Sequence, residues 1–295
     1  MRPSLFPLAL ALAIALPACT TVAPVADAPP ATAPATAVAA DDNLNAVLWM
    51  QRSAEYRATA LQTWRAAAAR LDDALATPGW DAVVPAERPE AASARPPAVV
   101  VDVDETVLDN SPYQARLVAD GGEFDPAGWE AWVAERRARA IPGAVEFARA
   151  AQARGVTIVY ITNRTQASAE ATIANLRAVG MPVAGPEVFM GLGTVVEGCR
   201  QVGSEKDCRR QAAARRWRVV MQVGDQLGDF VHIPDNAQAA RDGLMAAHDA
   251  WFGSRWWMLP NPSYGSWEPA AFGNDRRLPR DARRAAKRAA LDTAR

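Results

Sequence analysis

The sequence predicts a doubly wound α/β fold, a parallel sheet with helices on both faces, on three observations. Residues 98–103, 156–161 and 219–223 are short, almost purely apolar and rich in β-branched side chains. Such runs read as strands buried on both faces, as in parallel sheets. Helical stretches precede the second and third runs, at 144–153 and 204–216, and helix alternating with strand is the pattern of a doubly wound sheet. Acidic or polar residues follow each run at once, which suits a sheet whose carboxyl ends carry a ligand site.

The chain of 295 residues begins with Arg2 and an apolar run over 5–16. That run has the length of a signal-peptide core and is too short to span a bilayer as a helix. Leu16-Pro17-Ala18-Cys19 closes it and resembles a bacterial lipobox, in which cleavage before Cys19 leaves its thiol to carry a lipid. The expected layout is a signal peptide over 1–18 and, over 19–43, an Ala/Pro-rich linker too poor in core-forming residues to fold. An ordinary signal peptide cleaved nearby, with Cys19 incidental, would export the protein equally.

From residue 43 to about 75, Leu44, Val47, Leu48, Leu61, Trp64, Ala68, Leu71 and Leu75 recur at helical spacing. Asp42 or Asn43 is the expected cap. Prolines and a glycine then mark a loop before the first strand. Residues 124–140, rich in Trp and Arg, form a helical piece. The tail from 275 carries eight Arg and Lys against three Asp and reads as a solvated helix. The main domain is placed at 44–274, with an insertion at about 112–141.

Composition narrows the function. Lys and Arg total 32 against 33 Asp and Glu, without the basic excess of a nucleic-acid binder. Ten Trp provide core or flat ligand platforms. His232 and His248 lack partners at metal-ligand spacing.

The chemistry centres on Val101-Asp102-Val103-Asp104-Glu105-Thr106, where two carboxylates stand at the end of a buried strand. Carboxylates there are costly unless they bind a cation or react. Thr162-Asn163-Arg164 follows the second strand, Gly224-Asp225 and Asp229 follow the third, and Lys206 stands near a helix start. Together they suit phosphoryl transfer. Asp102 serves as nucleophile, and Asp104 as general acid, then base. Asp102 and Asp225, with a backbone carbonyl at Asp104, make hard oxygen ligands for Mg2+. Thr162 and Lys206 hold phosphoryl oxygens. Asp229 orients Asp225 or a metal-bound water. Asn163 and Arg164 are further phosphate candidates, although Arg164 has a neighbouring acid as its alternative partner. Arg209, Arg210, Arg215 and Arg216 read as a solvated face.

This set resembles the haloacid-dehalogenase superfamily: Asp-x-Asp-x-Thr, then Thr, then Lys, then Gly-Asp-x-x-x-Asp. More narrowly it resembles the class C bacterial acid phosphatases, outer-membrane lipoprotein nucleotidases, in two signatures, 100–113 and 220–230. Gln226 departs from the family's usual residue at a position expected to be peripheral. The resemblance runs from about 44 to 268 and includes the lipobox. It implies a Rossmann-like core, a small mostly helical cap, magnesium, and substrates that include 5′-nucleotides. The family's base-sandwiching aromatics fall at Phe124, Trp129 and Tyr264; Trp132, Trp256 and Trp257 are assigned to core.

The resulting expectation is an exported magnesium-dependent acid phosphatase or 5′-nucleotidase. Cys19 would carry a lipid anchor to the cell envelope, the outer membrane by analogy at Thr20. An acidic optimum is expected because Asp104 must donate a proton first. With Cys19 lipidated, Cys199 and Cys208 remain as a pair able to form a disulfide in an oxidising compartment. Oligomeric state stays open, a homo-oligomer included. The competing expectations are an idle lipoprotein holding a nucleotide or haem, and a phosphotransferase with a non-water acceptor.

Overall fold

The computed structural model describes residues 41–88 and 94–294. Cys19, the signal segment and the linker up to residue 40 lie outside the described residues. Two helices, α1 (Leu44–Arg52) and α2 (Ala54–Ala76), precede the sheet. The periodicity predicts one helix here; the chain instead breaks at Ser53, whose extended backbone and hydroxyl cap α2, accepting from Tyr56 N at 3.0 Å. At the start of α1 neither Asp42 nor Asn43 caps through its side chain; Asp41 Oδ1 accepts from Asn43 N at 2.8 Å.

Strand β1 (Pro97–Val101) follows, then a two-residue β2 (Leu108–Asp109), α3 (Ser111–Asp120), α4 (Pro126–Glu135) and β3 (Arg139–Ala140). The chain leaves through β2 and returns through the antiparallel β3, so this small ladder closes the base of a helical insertion. Asp125 caps α4, accepting from Ala127 N and Gly128 N. The main chain continues as α5 (Ala144–Gln152), β4 (Thr157–Thr165), α6 (Ala169–Ala178), β5 (Phe189–Leu192), α7 (Asp207–Arg216) and β6 (Arg218–Gly224). It then runs through α8 (Gln238–Ala247), β7 (Trp256–Met258), α9 (Trp267–Ala270) and α10 (Arg280–Ala289).

The main sheet is parallel with order β5-β4-β1-β6-β7. Successive connections run from β1 toward β4 and β5, then back to β6 and β7. The direction reverses between β1 and β6, and the crevice at their carboxyl ends is where such sheets bind ligands. All but the first residues of β1 and β6 are buried, which accounts for the uninterrupted apolar runs that predict them. The edge strands β5 and β7, four and three residues long, lie outside those runs.

Helix α2 packs on α5, β6 and β7, while α7 packs against β4 and β6. Trp64 of α2 is 1% exposed, its ring 5.0 Å from that of Phe147 in α5. Burying a side chain of that size contributes roughly 2–3 kcal/mol and fixes α2 against the sheet. Trp132, Trp256 and Trp257 are buried. Helix α10 buries none of its residues, and its cations pair with Asp41, Asp42, Glu123 and Glu268. Among the described residues no helix is long and apolar enough to cross a membrane.

Candidate active site

Strand β1 ends with Val101, and Asp102 N still donates to Val223 O of β6 at 2.9 Å. This last ladder bond sets the Asp102 backbone beside the end of β6, where Asp225 follows. The chain then turns tightly: Leu108 N donates to Val103 O at 2.8 Å, and Glu105 N to Leu108 O at 2.8 Å. Glu105 adopts a positive φ of 58°, at a cost of roughly 1–2 kcal/mol for a residue with a Cβ. Its buried carboxylate holds the turn, accepting from Asn110 N at 2.7 Å and from the Tyr264 hydroxyl.

Asp102 is 6% exposed, and Lys206 Nζ hydrogen-bonds its Oδ1. The same ammonium lies 2.6 Å from Asp229 Oδ1. Thr106 Oγ1 lies 3.3 Å from both Asp102 Oδ2 and Asp225 Oδ1. Burial raises the Asp102 carboxyl well above its ordinary range; Lys206 opposes this, and Asp229, Asp225 and Asp104 reinforce it. Burial and then Asp229 push Asp225 up to about 7. For Lys206, burial acts downward, but Asp102 and Asp229 outweigh it and hold the ammonium above its usual value. One ammonium among these buried carboxylates leaves negative charge in excess.

Asp104 is fixed separately. Arg164 Nη2 and Nε approach its Oδ1 at 2.8 and 2.9 Å, and Asn110 Nδ2 donates to the same oxygen at 2.9 Å. Thr162 Oγ1 stands 3.5 Å from its Oδ2. Asn110 Oδ1 accepts from Trp132 Nε1 at 2.8 Å and from Arg164 at 3.1 Å, tying the insertion to this carboxylate.

The donor set suits a hard divalent cation. Oxygens of Asp102, Asp225 and Asp229 lie within 4.8 Å of one another. Asp229 already has partners on both oxygens, Lys206 on one and the backbone N–H groups of Asp225 and Gln226 on the other, at 3.0 and 2.8 Å. Asp102 Oδ2 and Asp225 Oδ1 each meet one neutral donor among the described residues, the Thr106 hydroxyl at 3.3 Å, so these are the oxygens open to a cation. Their raised pKa values reflect burial in excess negative charge, which a cation would relieve.

The remaining predicted residues are spread more widely. Asn163 Oδ1 accepts from Arg209 at 2.8 Å. Arg164 is 1% exposed; of its two alternatives, the structure shows pairing with the neighbouring acid. Phe124 is exposed and its ring lies 6.4 Å from that of half-buried Trp129; the Arg164 guanidinium sits 5.6 Å from the same Trp ring. The Tyr264 hydroxyl donates to Glu105. Cys199 and Cys208 form a disulfide with their Cα atoms 5.6 Å apart.

Two expectations are overturned. Gln226 is not peripheral: its Nε2 donates to Asp225 Oδ2 at 2.8 Å and to Tyr264 O at 3.2 Å. Arg209 and Arg210 are not on a solvated face; both are fully buried, and only Arg215 and Arg216 are exposed. Helix α7 packs between β4 and β6, so its first turn faces inward. Roles were also missed for Glu105, Thr106 and Asn110, which lie inside the first signature. Another was missed for Asn261, whose Nδ2 donates to Asp225 Oδ2 at 2.8 Å. Its place between Pro260 and Pro262 was its only signal.

Known proteins match this arrangement. The family described as HAD superfamily, subfamily IIIB (acid phosphatase) matches residues 19–267. The class C acid phosphatase from Bacillus anthracis superposes with a TM-score of 0.72 at 31% identity, over 85% of this chain and 97% of its own. The same enzyme with tungstate bound gives 0.72 at 30% identity, over the same shares.

Proposed function

The chain belongs to the acid phosphatases of HAD subfamily IIIB and hydrolyses phosphoric monoesters, and on that premise we propose an aspartyl-phosphate mechanism on Asp102, with magnesium as the cation and 5′-nucleotides among the substrates. The carrying observation is the division of labour between two adjacent acids. Asp102 faces Lys206, Thr106 and Asp225, whereas Asp104 is held by Arg164 and Asn110.

An Asp102 carboxylate oxygen attacks phosphorus, and the bond from phosphorus to the ester oxygen breaks. Asp104 gives its proton to the departing alkoxide, which leaves as an alcohol. Asp104, now a carboxylate, takes a proton from water as that water attacks the phosphorus of the acyl phosphate. Inorganic phosphate leaves, and Asp102 is restored. Lys206 and the Thr162 hydroxyl bind phosphoryl oxygens as negative charge builds on them. Magnesium held by Asp102, Asp225 and the Asp104 carbonyl would screen the anionic nucleophile from the anionic phosphate. Asp229 keeps Lys206 and the Asp225 backbone in place.

Tungstate, the ligand in the B. anthracis structure, is a tetrahedral oxyanion of phosphate-like shape, which supports a phosphoryl-sized site here. Phe124 and Trp129, adjacent on the insertion, offer aromatic surface for a nucleobase. Tyr264 contributes by fixing the Asn261–Trp267 segment to Glu105. We further propose export and a lipid anchor at Cys19, on the apolar run and the Cys that ends it. A binding-only role leaves Asp104 without a task.

The test is phosphate release from AMP, nicotinamide mononucleotide and an aryl phosphate at mildly acidic pH, with magnesium or with EDTA. Magnesium-dependent release favouring the nucleotides is the expected result. Equal rates in EDTA would remove the metal, and preference for the aryl ester alone would remove the nucleotide assignment.

A further inference from the structure

Helix α7 opens with two arginines that are both fully buried but differently compensated. Arg210 forms a forked pair with Glu87, with Nη2 at 2.8 Å from Oε1. Among the described residues its neighbour Arg209 has no carboxylate at ion-pair distance. Its hydrogen bonds to the described residues reach neutral oxygens: Thr162 O, Asn163 Oδ1 at 2.8 Å, Ser204 O at 3.1 Å and Glu205 O at 2.9 Å. Its Nε has no partner among the described residues. Burial pulls this guanidinium down to about 10, so it keeps its charge at neutral and acidic pH. An interior cation without a counter-ion is costly, so an anion nearby would be held more tightly for its presence. Asp102 is the foremost of the acids that favour its charged form.

The four acceptors lie on two separate pieces of chain. Thr162 and Asn163 belong to the end of β4, and Ser204 and Glu205 lead directly into Lys206 before α7. Only a planar fork reaches both at once; a lysine ammonium at the same place is a point charge on a flexible stem.

We propose that Arg209 is a positioning residue for oxyanion binding. It fastens the Thr162 turn to the Lys206 turn and sets an unpaired positive charge behind the phosphoryl oxygens. The inference rests on the phosphoryl site described above. Arg209 does not touch the substrate; it acts through Thr162 and Lys206 and through its field.

The experiment compares wild type with Arg209→Lys, Arg209→Gln and Arg210→Lys, measuring kcat, KM, the inhibition constant of inorganic phosphate and the thermal midpoint with and without phosphate. Arg209→Gln is expected to weaken phosphate inhibition about tenfold or more, through the lost field of a buried charge and the loosened turns. Arg209→Lys is expected to recover part of that affinity through its charge while kcat stays low, because the two turns are no longer joined. Arg210→Lys is expected to lower the thermal midpoint and leave the phosphate inhibition constant near wild type. If Arg209→Gln does not fold, Arg209→Lys against Arg210→Lys decides the matter. Unchanged phosphate affinity in Arg209→Lys, or an equal loss in Arg210→Lys, overturns the proposal while wild-type turnover leaves the mechanism standing. Failure of the mechanism itself would show in wild type, as turnover insensitive to phosphate.

Discussion

Arg164 Nη2 lies 2.8 Å from Asp104 Oδ1, reaching from β4 to the loop after β1, and Asn110 Nδ2 holds the same oxygen at 2.9 Å. The acid assigned to the leaving group thus has its geometry set by two buried neighbours. Arg164→Met removes the guanidinium, and kcat is expected to fall about 10- to 100-fold, a part of the roughly 100- to 10,000-fold that general acid catalysis contributes. Asn110→Ala should produce the same kind of loss and also orphan the Trp132 indole N–H. Steady-state kinetics check this; an unchanged kcat in both variants would remove Asp104 from the role.

Lys206 is shared by Asp102 and Asp229 in a nearly dry setting, the lysine side chain 7% exposed and each acid 6%. Lys206→Met leaves two buried carboxylates without their ammonium. The expected effects are a loss of about 3 kcal/mol in stability and a fall in kcat of about 100-fold or more. Denaturant unfolding and kinetics measure the two separately. A variant with wild-type turnover would contradict the assignment of Lys206 to the phosphoryl oxygens.

Glu105 and Asp225 predict a pH dependence of stability. Burial pushes Glu105 from 4.5 up to about 8 and Asp225 from 3.8 up to about 7. Groups raised in the folded state bind protons more tightly there than in the unfolded chain. Their contribution is full below the unfolded values and is lost as pH rises through about 7 to 8. Protein in EDTA should lose stability across that rise, and Glu105→Gln should flatten the decline. A divalent cation should stabilise most at the upper end, where protons no longer compete for Asp225. Thermal midpoints across pH, with EDTA and with magnesium, test both statements. A midpoint in EDTA that climbs through this window, identically in Glu105→Gln, would contradict them.

The Cys199–Cys208 disulfide closes a short loop and ends two residues after Lys206. Its loss by reduction or by Cys199→Ser is expected to cost roughly 2–3 kcal/mol on the chain-entropy estimate. KM should rise as the Lys206 turn loosens. Thermal unfolding with and without reductant provides the check, and two titratable thiols in the unreduced folded protein would rule the bond out.

Legibility in the sequence followed burial and chain locality. Strands β1, β4 and β6 were readable because residues buried on both faces must be apolar without interruption, and Asp102, Asp104 and Asp225 because acids at the ends of such runs need a cause. The edge strands β5 and β7 are too short to carry a pattern. The break at Ser53 was hidden because no Pro or Gly marks it between residues 49 and 60. Arg209 and Arg210 were misread because an arginine run looks the same at the surface and in the interior. Only the packing of α7 between β4 and β6 separates them from Arg215 and Arg216. Asn261 reaches Asp225 from 36 residues away in sequence, a relationship no local pattern carries; Gln226 is its immediate neighbour, but the residue type alone does not turn its amide onto the carboxylate.

In the proposed mechanism Asp102 becomes phosphorylated during turnover. Acid-quenched protein turning over a phosphate monoester with a radiolabelled phosphoryl group tests it most directly, in wild type and in Asp102→Asn. The expected result is label on the wild-type peptide containing Asp102 and neither label nor turnover in the variant. Label on another residue, or full turnover by Asp102→Asn, would contradict it.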